Sequence, residues 1–176
     1  LGMLTADEAD TRRTGAHVLS KVGDPAHFEA LAPLVADEHA DVAIKAYRAV
    51  ANTGRPEALT VLASRLGDGD ALQRDALTGA FARFGEAAVP ALIEALGSPE
   101  RDVREHAADA LGHLGADAIT ATDALAGLAS DPDADVRLAA VAALGQFGPD
   151  AAPALEGFRS DADPRITVTV TRLVRA

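Results

Sequence analysis

The chain has 176 residues, enough for one domain or two small ones. Its apolar half is mostly Ala, Leu and Val, its aromatic content is 3%, and its formal net charge is −11. That charge argues against nucleic acid and anionic membrane surfaces, which call for a basic stripe, and the absence of cysteine removes disulfides, thiolate nucleophiles and Cys-ligated zinc.

Leu1 and Gly2 precede Met3 and read as a tag remnant. Thr5-Ala6-Asp7-Glu8 has the form of a capping box and is expected to open the first helix. The segment at 10–23 then ends on Gly23, and related segments end on Gly54, Gly85, Gly115 and Gly148, with gaps of 31, 31, 30 and 33 residues. Self-similarity at this period marks a stacked-repeat protein. In the fourth segment (102–115) the apolar positions are Val103, Ala107, Ala110, Leu111 and Leu114. In the fifth (135–148) they are Val136, Ala140, Ala143, Leu144 and Phe147. The spacing i, i+4, i+7, i+8, i+11 lines one face of an α-helix, and each closing Gly stands where a left-handed C-cap is wanted.

A shorter apolar stretch follows each of these first helices, at 24–36, 55–66, 86–96, 116–129 and 149–158. Each repeat is therefore a helix pair. Pro90 and Pro153 fall in the same slot and suit a first helical turn, whereas Pro33 sits later and predicts a late start or a kink. Ser98, Ser130 and Ser160 stand at repeat junctions as expected N-caps. The segment 163–176 alternates Val and Thr like a strand, yet Ile166, Val170, Leu173 and Val174 keep the helical spacing. It is predicted as a final first helix, either a terminal cap or the cut end of a longer array. One domain over 1–176 results, with repeats near 6–36, 37–67, 68–97, 98–130 and 131–160 and a partial one at 161–176. Neither helix of a pair buries its apolar face alone, so stacking must join the faces into one core.

The pattern Asp102-Val103-Arg104…Ala107…Ala110-Leu111-Gly112, repeated as Asp135-Val136-Arg137…Ala140…Ala143-Leu144-Gly145, resembles HEAT repeats. More narrowly it is similar to the short bacterial HEAT-like repeats of phycobilisome lyases. The resemblance implies an all-α fold: a right-handed α-solenoid of about five antiparallel helix pairs plus a C-terminal helix, its second helices lining a concave binding face. It also implies a ladder in which Asp and Arg of successive repeats hydrogen-bond. Asp10, Asp41, Asp102 and Asp135 match the acidic slot, and Arg12, Arg74, Arg104 and Arg137 the basic one. Ala43 and Leu72 break the pattern in the N-terminal half.

Few residues point to chemistry. The Asp/Arg pairs recur at the repeat period, whereas an active site occurs once. Some HEAT-like proteins bind two irons through several His-Glu pairs, but here Glu105-His106 stands alone and reversed. His106 and His113 lie two turns apart, about 10 Å along a helix, and read as a solvated helix flank, as do Lys45 and Arg83 in the same slots. Asp131-x-Asp133-x-Asp135 lacks the Gly and Glu of a calcium loop. No His is spaced to activate a serine. No catalytic residue, metal or other cofactor is assigned.

The function expected is a non-catalytic scaffold or adaptor for a partner protein or peptide, contacted by exposed second-helix positions: Glu57, Thr60, Ser64, Glu94, Thr122, Asp123 and Glu156. Their acidity points to a basic partner. The alternative is a subunit or chaperone of a modifying enzyme, similar to the HEAT-like bilin lyases. No apolar run reaches bilayer length and no signal-peptide order opens the chain, so a cytoplasmic location is the default.

Overall fold

The long 3.6-period segments set the architecture. The computed structural model describes residues 1–175, and among them every regular element is helical. A 3-10 turn over Gly2–Thr5 precedes α1 (Ala9–Val22). The pairs that follow are α2 (Phe28–Leu31) with the 3-10 turn Ala32–Ala36, then α3 (Ala40–Asn52) and α4 (Glu57–Ala63), then α5 (Ala71–Phe81) and α6 (Val89–Ala95). Next come α7 (Arg101–Leu114) and α8 (Thr122–Gly127), α9 (Ala134–Gln146) and the 3-10 run Pro149–Phe158, and finally α10 (Pro164–Arg175). The Val/Thr alternation of the last segment gives way to its helical spacing. Ile166 and Val170 are buried, while Val168 and Val174 face solvent.

All five closing glycines have positive φ. Gly23 shows why: it caps α1 in the left-handed region, donating its N–H to the Leu19 carbonyl, a conformation that a Cβ would strain.

Several expected caps lie elsewhere. Glu8, not Thr5, precedes α1, because Thr5 closes the 3-10 turn and donates its hydroxyl to the Gly2 carbonyl at 3.4 Å. Ser98 and Ser130 fall short of the helix starts. Ser98 Oγ accepts from Glu100 N–H within the turn, and Ser130 donates to the Gly127 carbonyl. The cap of α9 is Asp133, whose carboxylate accepts from Asp135 and Val136 N–H. Asp70 caps α5 in a reciprocal capping box with Gln73. The prolines shape the second helices: Pro90 opens α6, whereas Pro33 lies where α-helix gives way to 3-10 geometry and Pro153 sits inside a 3-10 run. A proline ring clashes with the carbonyl four residues back, and the tighter winding fits these short pieces.

Packing groups the chain into two units, residues 1–84 and 85–176. In the first, α1 packs on α3 and α3 on α5, over a core that includes Leu31, Tyr47, Leu62, Leu77 and Phe81. In the second, α7 packs on α9 and α9 on α10, with α6 against α7 and α8 against α9; Leu92, Leu111, Leu125, Leu144 and Phe158 fill its core. Each fully buried leucine contributes on the order of 2 kcal/mol. Small residues let the first helices approach: a Cβ on Gly112 would stand 3.0 Å from Ala143 Cα.

Candidate functional site

The second helices present the predicted contact row outward. Glu57, Thr60, Ser64, Glu94, Asp123 and Glu156 are exposed and Thr122 is half-buried. Glu57, Thr60 and Ser64 share one side of α4 and its end by their i, i+3, i+7 spacing. In the second unit, α6 packs beside the 3-10 turn Gly115–Ala121 that leads into α8, and α8 packs beside Pro149–Phe158. Glu94, Asp123 and Glu156 thus lie on neighbouring rods.

Their chemistry is uneven. Ser64 and Thr122 turn their hydroxyls back to the Val61 and Ile119 carbonyls, at 2.7 and 2.6 Å. Glu57 accepts two hydrogen bonds from Arg55, at 3.2 and 2.7 Å. These bonds first, then its own backbone N–H, hold the Glu57 carboxyl at about 2. Arg55 also lies 5.0 Å over the Phe28 ring and 3.9 Å from Glu29. Glu156 pairs with Arg159 at 2.8 Å. Glu94 and Asp123 make no ion pair among the described residues, so they carry the row's uncompensated charge.

The expected ladder separates into two networks. Arg12 donates to Asp37 at 2.7 and 3.0 Å, Arg104 to Asp131 at 2.7 and 3.0 Å, and Arg137 to Asp161 at 2.7 and 3.0 Å. The third guanidinium nitrogen donates to carbonyls five or six residues back, such as Ser98 and Pro99 for Arg104. Each aspartate also accepts the N–H two residues on, from His39, Asp133 or Asp163. One arginine thus clasps its own helix entry to the turn that opens the next repeat. The pairs are largely buried, with side chains 12% and 4% exposed for Arg104 and Asp131. Hydrogen bonding from arginine, against the opposing pull of burial, holds the Asp37 and Asp161 carboxyls below the ordinary range. At Asp131 burial pushes hardest upward, yet the bonds from Arg104 and the Asp133 N–H together outweigh it.

The acidic-slot residues belong to the other network. In the second unit Arg101 reaches Asp102, Glu105, Asp133 and Asp135 within 3.0–3.2 Å, and Arg165 reaches Asp135 at 2.9 Å and Asp163 at 2.6 Å. In the first unit Asp10 pairs with Arg13 at 3.1 Å and Asp41 is exposed. The reason is helical geometry: residues two apart point to opposite sides, so Arg104 faces the next turn while Asp102 faces away from it. Arg74 donates to the Gly67 carbonyl at 3.0 Å. With Ala43 in the basic slot, Asp68 pairs instead with Arg65 at 3.1 Å. The clasp partners had a sequence signal, since Asp37, Asp68, Asp131 and Asp161 recur at the junctions, where they pass for ordinary turn residues.

His106 departs from the solvated reading: it is buried, only 2% exposed. His113 is exposed as expected. Among the described residues no three His, Cys, Asp or Glu converge on a point that could hold a metal ion. Nor is any single helix long and apolar enough to cross a membrane.

Hollows lie between successive first helices. One of about 440 Å³ is lined by Ile44, Lys45 and Arg48 of α3 with Ala76, Gly79, Ala80 and Arg83 of α5 and its end. A second, of about 230 Å³, joins Lys45 to Arg13, Thr14 and His17 of α1. The matching hollow between α7 and α9, about 340 Å³, is lined by Asp109, Gly112, His113, Ala142, Ala143 and Gln146.

Repeated pairs, glycine stops and recurring clasps together match a known pattern, the family model for HEAT repeats, over residues 1–82 and 89–172. The chain belongs to the HEAT-repeat family. Among solved structures this HEAT-repeat chain is similar to one from work on microtubule plus-end tracking by XMAP215, CLIP-170 and EB1, at 17% identity, TM-score 0.72, covering 99% of this chain and 88% of that one. It is similar to computationally designed armadillo repeat proteins for modular peptide recognition, at 18% identity, TM-score 0.51, covering 99% and 96%. It is also similar to the CpcE–CpcF complex of phycocyanin lyase from Nostoc sp. PCC7120, at 24% identity, TM-score 0.55, covering 96% and 72%. At these identities the likeness is one of fold, that of all-α solenoid repeats. No curated protein matches the chain.

Proposed function

We propose that this HEAT-repeat protein is a non-catalytic adaptor that binds a basic segment of a partner protein along its second-helix face. The observation that carries the reading is the pair of exposed carboxylates, Glu94 and Asp123, on adjacent second helices with no cation beside them among the described residues. An adaptor gains from such groups, because charge left uncompensated in the free protein steers and selects a complementary partner. Glu156 stands on the next rod and exchanges Arg159 for a partner cation at little cost, since exposed pairs are weak. Glu57 contributes less, because Arg55 already neutralises it. The test is co-precipitation of partners by wild type and by a Glu94→Lys/Asp123→Lys/Glu156→Lys variant. Loss of the wild-type partner supports the reading; unchanged recovery removes the acidic face from it.

A second reading, a subunit or chaperone of a modifying enzyme, is favoured by the likeness to the phycocyanin lyase complex. Incubation with a bilin and an absorbance scan decides it: a shifted and intensified visible band supports it, and an unchanged spectrum opposes it.

A further inference from the structure

We propose that the hollow between α3 and α5, with its extension along α1, is a second binding surface that takes an acidic peptide segment of a partner protein. This surface is separate from the second-helix face, and its charge is opposite.

The hollow concentrates cations in a chain that is otherwise acidic. Lys45, Arg48 and Arg83 line it, and no carboxylate does. Asp41 and Asp75, the acidic residues of the same two helices, line neither this hollow nor its extension. Lys45, Arg48 and Arg83 make no ion pair with any described residue, whereas arginines elsewhere, such as Arg12, Arg104, Arg137 and Arg165, are engaged by aspartates. Lys45 borders both hollows, so the recess continues along α1 past His17 and Arg13, the latter already engaged by Asp10 at 3.1 Å.

The floor is apolar and open. Ile44, Ala76 and Ala80 form it, and a Cβ on Gly79 would meet nothing within 4 Å. Repetition supplies an internal control. Groups that serve the stack recur along it, as the glycine stops do after all five first helices and the clasps do at α1, α7 and α9. The equivalent hollow between α7 and α9 has Asp109, His113 and Gln146 in place of these cations. The basic cluster is therefore not required for packing first helices together.

Size and charge select the occupant. Packed helices lie about 8–10 Å apart and an extended peptide advances about 3.3 Å per residue. Three or four residues thus cross from Lys45 and Arg48 to Arg83, with two or three carboxylates within reach of the three cations. A nucleic acid fits poorly. It would need a longer basic track and faces to stack on, but no aromatic residue lines the hollow and residues 1–84 carry nine Lys and Arg against twelve Asp and Glu. Local potential in a recess can oppose net charge and recruit an anionic segment.

The test uses the full chain and a fluorescein-labelled hexaglutamate peptide, with hexaglutamine and an oligothymidylate as comparison probes, read by anisotropy at about 50 mM salt and again at about 300 mM. Wild type is expected to bind hexaglutamate but not hexaglutamine, more weakly at the higher salt. A Lys45→Gln/Arg48→Gln/Arg83→Gln variant should lose about tenfold in affinity or more, while Arg172→Gln/Arg175→Gln on α10 keeps it. Because Lys45 is half-buried, Arg48→Gln/Arg83→Gln, at two exposed positions, repeats the comparison without disturbing the packing. Amide shifts on titration should cluster at 44–48 and 76–83. No binding by wild type, undiminished binding by both variants, shifts scattered over both units, or a preference for the oligonucleotide each overturn the proposal. None of these results bears on the acidic face, which the Glu94/Asp123/Glu156 variant tests alone.

Discussion

Asp161→Asn isolates one clasp with almost no change of shape. In the wild type Arg137 donates to both carboxylate oxygens, at 2.7 and 3.0 Å, and the Asp163 N–H adds a third bond at 2.8 Å. The pair is largely withdrawn from water, with side chains 14% and 5% exposed. Asparagine keeps one acceptor oxygen but turns an amide NH2 toward the guanidinium, so one charge-assisted bond and the ion-pair attraction disappear. A hydrogen bond to a charged group contributes about 1.5–3 kcal/mol net, which sets the expected loss at about 2 kcal/mol at pH 7. For a chain of this length each kcal/mol moves Tm by roughly 2–4 °C, so the thermal midpoint should fall by roughly 4–8 °C. The pH dependence has a definite sign. Arg137 holds the folded carboxyl below its ordinary value, so the stabilisation is complete about one pH unit or more above the ordinary carboxyl value of about 3.9, where the unfolded group is also ionised. It fades as pH falls through the folded value. The gap between wild type and variant should therefore narrow as pH falls below about 4 in melts followed by circular dichroism. A gap under about 1 °C at pH 7, or one that stays constant on acidification, refutes the reasoning.

Other outcomes follow from the packing. Leu111→Ala, at a fully buried site, should lose roughly 3–5 kcal/mol in urea denaturation, whereas Leu72→Ala, 70% exposed, should stay within about 0.5 kcal/mol; similar losses for both would contradict the assigned core. Gly112→Ala drives a Cβ to 3.0 Å from Ala143 Cα, and the overpacking, about 1–3 kcal/mol, outweighs the helix-propensity gain of about 1 kcal/mol. Gly79→Ala meets open space and should stabilise by up to about 1 kcal/mol, so a reversed order in the same assay sinks the glycine reading. The Glu57 carboxyl should titrate near 2 by NMR, and Arg55→Gln should return it toward about 4.3; an unmoved midpoint would break the assigned pair.

Much of the architecture was legible because each repeat writes the same local signals. Apolar residues at 3.6 spacing, a glycine at each first-helix end and Pro90 at a second-helix start are all short-range, and each is set by neighbours within a few residues. Caps were less legible. Thr5, Ser98 and Asp70 each suit several turn geometries, and the choice depends on which backbone N–H lies free after the chain has folded. The second helices also resisted reading in detail, since Pro33 and Pro153 favour 3-10 winding only where packing forces short, tight turns.

Sequence alone determined that this is a stacked array of helix pairs, because helix period and termination are local properties that repetition reinforces. Tertiary structure decided the rest: that Arg104 meets Asp131 and not a slot-mate, that His106 is covered, and that Lys45, Arg48 and Arg83 share one recess. These depend on which sides of neighbouring helices are brought together, and that distance in space has no counterpart along the chain.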